Sequence, residues 1–255
     1  MMKLRNYEYN TPQYKLYREM HEKVDLEYTK RLIKKYSILN NKKMTIKEAL
    51  NKMDSFIDPS DPDLDVPNSI HAYQTAERIR KKYPNNKELQ ITGLIHDLGK
   101  VLFDYGEPNY SVVGDTYVVG CKFPDTIVYP KTLILNKDYH KYDDNGIYKE
   151  KCGLENLNIT YGHDEYLYQV LKQNKNHKIT ERYMNMIRYH SFYPWHTGGS
   201  YHQFMKDSDK DILKDVLIFN EFDLYSKEDP IIITDNTKKY YDKLLDEYFE
   251  GEMQW

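Results

Sequence analysis

Cysteine is scarce in this chain. Cys121 and Cys152 are its two cysteines in 255 residues, too few for a disulfide framework and without the paired spacing of a thiolate zinc site. Long hydrophobic runs are missing as well, since no stretch approaches the roughly 18 apolar residues that a membrane-spanning helix needs. The opening Met1-Met2-Lys3-Leu4-Arg5-Asn6-Tyr7 has no apolar core of the kind a secretory signal carries. No excess of one charge is present either. Lys and Arg number 37 against 40 Asp and Glu, a net charge of -3, which supplies no concentrated positive field for nucleic acid or an anionic membrane. Gly198-Gly199-Ser200 lacks the strand and helix that flank a phosphate loop, and no Gly-Xaa-Ser-Xaa-Gly elbow occurs. These absences lead to the expectation of a cytoplasmic, monomeric protein with no nucleic-acid or membrane partner.

What the chain does have is helical periodicity. Tyr17, Met20, Val24, Tyr28 and Leu32 recur at helical spacing and predict one apolar stripe over residues 13–39. Thr45 followed by Glu48 fits a capping box for the next helix. The run Asp58-Pro59-Ser60-Asp61-Pro62-Asp63 stops it, because proline cannot continue a helix. Asn68 or Ser69 is placed to cap a helix through His71, and a further helix is expected over 87–103. The β-branched stretch 111–120, with Gly114-Asp115 at its centre, reads as a small hairpin, and 121–153 reads as a long loop. Helices resume near 164–171, 180–190, 209–222 and 236–249. The fold class expected is mostly α, a single unit with an N-terminal helical extension (1–57) on a core (58–255).

The imidazoles and carboxylates carry the chemical signal. Gly93, His96, Asp97 and Lys100 form a line beside the apolar face of the 87–103 segment. A buried His-Asp pair with a nearby lysine is costly unless the charges are paired or bound to a metal. His71, His163, His190 and Asp223 lie on other elements. Together with His96 and Asp97 they make four imidazoles and two carboxylates, a set that suits redox-active iron or manganese better than structural zinc. Asp97, with two oxygens, is able to bridge two ions. By contrast His21, His140, His177 and His202 sit among charged residues and are read as surface groups, and His196 as the anchor of a rigid turn.

The order His71, His96-Asp97, Asp223 resembles the metal-binding pattern of HD-domain proteins. The surrounding segments are more specific. Pro67-Asn-Ser-Ile-His71-Ala-Tyr-Gln-Thr-Ala-Glu77, Gly93-Leu-Ile-His-Asp-Leu-Gly-Lys-Val101, Val112-Val-Gly-Asp-Thr116, Tyr161-Gly-His-Asp-Glu-Tyr166, His190-Ser-Phe-Tyr-Pro-Trp-His-Thr-Gly198 and Phe219-Asn-Glu-Phe-Asp-Leu-Tyr225 resemble the myo-inositol oxygenase family from about Arg5 to Trp255. The resemblance implies an HD-type helical bundle and a ring-cleaving oxidation of myo-inositol by O2 to D-glucuronate at a mixed-valent pair of iron ions, without an organic cofactor.

By the same resemblance, His71, His96, Asp97 and Asp223 would hold one iron, and His163 and His190 the other, with Asp97 bridging. Substrate contacts would fall on Arg5, Asp58, Ser60, Lys100, Gly114, Asp115, His190 and Ser191, and Lys100 and Asp97 would act in catalysis. Pro59 stands between Asp58 and Ser60 where the family pattern is acidic. The competing reading is a dinuclear-metal HD-domain phosphohydrolase or phosphodiesterase, which calls for extra Arg or Lys groups aimed at a phosphate. Lys100 is the one such group within the core motifs. A phosphonate oxygenase or a sensor without turnover are the remaining alternatives.

Overall fold

The computed structural model describes residues 8–60, 67–224 and 231–255. Arg5, Asp61, Asp63 and Tyr225, all singled out above, lie outside them. Among the described residues no helix is long and apolar enough to cross a membrane.

The N-terminal stripe is two helices, α1 (Pro12–Lys23) and α2 (Leu26–Lys35), where one was expected. Asp25 decides this, because its carboxylate accepts from the Tyr28 amide and starts a new helix two residues after the first ends. The capping box at Thr45 is present: Glu48 donates its amide to the Thr45 hydroxyl and returns a carboxylate to the Thr45 amide, opening α3 (Ile46–Lys52). Helix α4 (Asn68–Lys82) is capped differently from the expectation. Pro67 occupies the cap position without a side-chain bond, the Ser69 amide donates to Asp54, and the Asn68 amide group is tied to the Met53 and Phe56 carbonyls.

Helix α5 (Lys87–Ile95) starts from an Asn86 cap and stops well short of residue 103; the chain runs on as the 3₁₀ segment Leu98–Tyr105. The switch falls at His96 and Asp97. His96 turns its Nδ1–H back to the Gly93 carbonyl at 2.8 Å, in competition with the backbone ladder, and Lys100 donates its amide to the Asp97 carbonyl three residues back. A Cβ on Gly93 would lie 2.6 Å from Ile79 Cδ1, so glycine lets α5 pack closely on α4.

Helices α6 (His163–Gln173), α7 (Glu181–Tyr189), the short α8 (Tyr193–His196), α9 (Asp209–Leu224) and α10 (Asp235–Tyr248) complete the helical set. Leu94, Ile95, Leu98, Leu167, Ile187 and Phe219 from α5, the 3₁₀ segment, α6, α7 and α9 meet in the main core.

The small antiparallel pairing lies elsewhere than expected. Strands β1 (Lys43–Met44) and β2 (Met253–Gln254) join the segment before α3 to the C-terminal residues, with Trp255 buried and donating its indole N–H to the Met44 carbonyl. Residues 112–119 form no strand. Val112, Val113, Tyr117, Val118 and Val119 are all buried, so the alternation of a half-exposed hairpin is absent, and the Val112 carbonyl serves His163. Residues 121–153 carry no strand or α-helix yet are anchored. Asn136 donates to the His21 and Val24 carbonyls, and Asp138 accepts from the Leu26 amide where α2 begins.

Candidate metal centre

Four elements deliver the imidazoles of the centre. His71 comes from α4, His96 from the C-terminal end of α5, His163 from the first residue of α6 and His190 from the cap of α7. Asp97 follows His96, and Asp223 comes from the last turn of α9. Three of the rings are oriented by backbone carbonyls. His96 Nδ1 faces the Gly93 carbonyl at 2.8 Å, His163 Nδ1 the Val112 carbonyl at 2.6 Å, and His190 Nδ1 the Ile187 carbonyl at 2.7 Å. A carbonyl only accepts, so each Nδ1 carries the proton and each neutral ring presents its Nε2 lone pair to the centre.

Those lone pairs converge. His163 Nε2 and His190 Nε2 are 3.2 Å apart, and Asp97 Oδ1 lies 3.1 Å from the first and 3.7 Å from the second. On the other side of Asp97, Oδ2 is 3.6 Å from His96 Nε2, while Asp223 Oδ1 lies 3.3 Å from His96 Nε2 and 3.0 Å from His71 Nε2. Two donor groups result, His71 with His96 and Asp97, and Asp97 with His163 and His190. The atoms of each lie within 4.8 Å of one another. The second group is three electron-pair acceptors facing each other with no proton to share in the neutral rings. A cation among them converts that repulsion into attraction, so the residues fit a metal.

A chain of charges leads away from Asp97. Lys100 Nζ donates to Asp97 Oδ2 and to Asp58 Oδ2, both at 2.8 Å, and to Asn68 Oδ1 at 3.3 Å. Burial alone would lower the Lys100 pKa, but the two carboxylates override it and hold the ammonium above its ordinary range. Burial would raise Asp97 and Asp58, but Lys100 together with the neighbouring imidazoles at Asp97, and with the Ser60 hydroxyl at Asp58, outweighs it and keeps both carboxyls below their ordinary range. Asp58 Oδ1 also takes the Ser60 amide at 2.8 Å and the Ser60 hydroxyl.

The Gly114-Asp115 turn is bound to this centre through its neighbours. Val112 receives His163, and the Thr116 amide donates to the Ser191 carbonyl at 2.9 Å, next to His190. Gly114 takes a φ of +101°, open to glycine at little cost. Thus His71, His96, Asp97, His163, His190 and Asp223 come together, Asp58, Ser60 and Lys100 join them through hydrogen bonds, and Gly114, Asp115 and Ser191 join through the backbone.

Two groups depart from or extend the sequence reading. His21 is fully buried, not on the surface: its Nδ1 lies 2.6 Å from the Thr132 hydroxyl, and burial pulls its pKa down from 6.5 to about 3. The signal was available, because His21 is four residues after Tyr17 and three before Val24, on the same buried stripe. His140 and His202 are exposed, while His177 is half-buried with its Nε2 at the Leu171 carbonyl. His196 is buried in its turn, its Nε2–H donating to the His190 carbonyl at 3.0 Å. Tyr17 was read from the sequence only as part of the apolar stripe. Its hydroxyl donates to Asp115 Oδ1 at 2.8 Å and accepts the Asp115 amide at 3.1 Å, so α1 braces that turn.

Comparison with known proteins points to one family. Residues 12–255 match the family described as myo-inositol oxygenase. Inositol oxygenase of Mus musculus is 44% identical over 243 residues, covering 94% of this chain and 85% of the relative. The Homo sapiens inositol oxygenase is 42% identical over 243 residues, with the same coverage of 94% and 85%. Inositol oxygenase 2 of Arabidopsis thaliana is 42% identical over 245 residues, covering 94% and 77%. A metal-ready cluster of histidines around Asp97, inside a chain matched almost from end to end, leads to one assignment: this protein belongs to the myo-inositol oxygenase family.

Proposed function

We infer that the chain is an inositol oxygenase, an oxidoreductase that takes myo-inositol and O2 to D-glucuronate. The observation that carries this reading is Asp97, with one oxygen facing His163 and His190 and the other facing His96 and Lys100. His71, His96, Asp97 and Asp223 would hold one iron ion and Asp97, His163 and His190 a second. When bound, such a pair supplies Lewis-acid affinity for adjacent polyol oxygens and the redox capacity to use dioxygen. In the overall change one ring carbon–carbon bond breaks, one oxygen atom enters the new carboxylate and the other leaves as water, so no external reductant is needed.

The chain's own residues supply binding and proton control. Myo-inositol is neutral and offers hydroxyls only, so it is gripped by directional hydrogen bonds. Asp58 and Asp115 accept, and Ser60, Ser191, the Gly114 amide and Lys100 donate. Lys100 Nζ keeps its proton because two carboxylates hold it, and its fixed positive charge would favour a developing substrate alkoxide beside Asp97. Near-complete burial of His96, His163 and His190 excludes bulk water from the reacting side. Arg5 is proposed as a further substrate contact on the strength of the family alone. The N-terminal extension and the core are read as one working unit, because Tyr17 of α1 braces Asp115.

The test is oxygen uptake and product analysis on iron-reconstituted protein given myo-inositol. Glucuronate formed in step with oxygen consumed supports the reading. No uptake with fully loaded iron would sink it and turn attention to metal-dependent phosphoester hydrolysis.

A further inference from the structure

The two helices that carry His163 and His190 are also joined away from the cluster, through Tyr168 and Lys172 to Glu181 and, nearer the two histidines, through Arg188 to Glu165. Arg188 Nε donates to Glu165 Oε2 at 2.6 Å and Arg188 Nη2 to Glu165 Oε1 at 3.3 Å. Gln169 Nε2 holds the same Oε1 at 2.7 Å, and the Arg188 guanidinium lies 4.4 Å from the centre of the Tyr168 ring. The side chains of Arg188 and Glu165 are 14% and 18% exposed, so the pair is largely shielded and its fork geometry is fixed.

Its position in the chain is symmetrical. Glu165 follows His163 by two residues and Arg188 precedes His190 by two. Residues two apart on a helix point about 200° away from each other. Glu165 therefore leaves α6 on the side opposite His163, and Arg188 leaves α7 on the side opposite His190. The pair cannot reach an ion at the cluster, yet it closes the far edge of the α6–α7 interface whose near edge is the 3.2 Å approach of the two Nε2 atoms. The remaining ligands of the other half, His71, His96 and Asp223, come from α4, α5 and α9.

We propose that the Arg188–Glu165 ion pair is a positioning device for one half of the metal centre, setting the His163–His190 separation and hence the affinity of that half alone. The inference rests on the two-metal reading above. An ion pair that merely supports the fold would, when broken, lower stability without distinguishing one metal from the other.

The experiment is an anaerobic titration of the full chain with Fe(II), repeated with Mn(II) followed by electron paramagnetic resonance, alongside thermal denaturation of the metal-free protein. Wild type is expected to take two equivalents, with the two Mn(II) ions spin-coupled. In Arg188→Gln and Glu165→Gln the first equivalent keeps its affinity and the second weakens about 10–100-fold, the range for partners that orient a metal ligand. Uncoupled single-ion Mn(II) spectra should appear at one equivalent and persist. Arg188→Lys, which keeps the charge and loses the fork, should fall between. If a single variant fails to fold because one charge is left unpaired, the Glu165→Gln/Arg188→Gln double variant carries the same measurement without a lone charge. Unchanged binding of both equivalents in folded variants would overturn the proposal, as would equal weakening of both in step with the melting temperature. Wild type that binds a single equivalent would instead overturn the two-metal reading itself.

Discussion

The two halves of the cluster share Asp97 and differ in almost everything else. The His71–His96 half has a second carboxylate, Asp223, and is the more open, with the His71 and Asp223 side chains 15% and 12% exposed. The His163–His190 half has only neutral rings beside Asp97, and both rings are 5% exposed. Its support is positional: the Val112 and Ile187 carbonyls orient the rings, and Gly99 packs against the His163 backbone. Where anionic donors are few, tight placement of neutral ones takes over part of the work of attraction.

The sharpest way to break the comparison is Asp97→Ala, which removes the one group common to both halves. Both metal equivalents should be lost together, with affinity falling beyond the 100-fold upper end of outer-shell effects, about two orders of magnitude or more. Elemental analysis after desalting reads the result. A full complement in that variant would rule out a shared Asp97.

Next in size are the one-sided variants. Asp223→Ala should cost one equivalent and spare the other, and His190→Ala should do the converse, each by about 10-fold or more in affinity. If either strips both ions, the halves are not separable and the contrast between them fails.

Gly99→Ala acts through packing. A Cβ at Gly99 would sit 1.8 Å from the His163 carbonyl oxygen, so the backbone of the first turn of α6 must shift. A loss of about 1–3 kcal/mol is expected from such overpacking, read as a lower thermal midpoint. The ion in the His163–His190 half should be released first.

The effect that is smallest near neutral pH lies outside both halves and separates acid sensitivity of the core from that of the cluster. His21 has a folded pKa of about 3 against an ordinary 6.5. Below pH 6.5 the unfolded chain binds a proton that the folded chain refuses, so stability falls as pH drops toward that folded value, by about 1.4 kcal/mol per unit. His21→Gln should flatten that part of the slope in urea titrations between pH 6 and 4, roughly the middle of the window. An unchanged slope would mean that His21 is already charged in the folded state.

Much of the site is legible in the chain itself, for a chemical reason. Imidazoles and carboxylates are expensive in a core, so His96 and Asp97 within an apolar segment announce a bound charge. The Thr45–Glu48 box and the Asn86 start are equally readable, because capping bonds span only three residues. What escapes a reading of the residues depends on distant partners. Helix α5 continues in pattern to residue 103, yet the His96 side chain competes for the Gly93 carbonyl and the helix ends. The valines of 112–119 have strand propensity, yet the Val112 carbonyl is taken by α6, their side chains are in the core, and pairing is limited to an isolated antiparallel bridge between Val118 and Ile159.

Sequence alone determined the inventory: six metal-ready side chains, a lysine three residues after Asp97, the helical class and the family resemblance, all carried by residue type and short segments. Only the tertiary structure decided the arrangement. The capping of α4 by Asp54, the contact of His21 with Thr132, the brace from Tyr17 to Asp115 and the Arg188–Glu165 pair join residues 15, 111, 98 and 23 positions apart. Contacts of that reach are fixed by how whole faces pack, and no local pattern in the chain encodes which partner a buried polar group will meet.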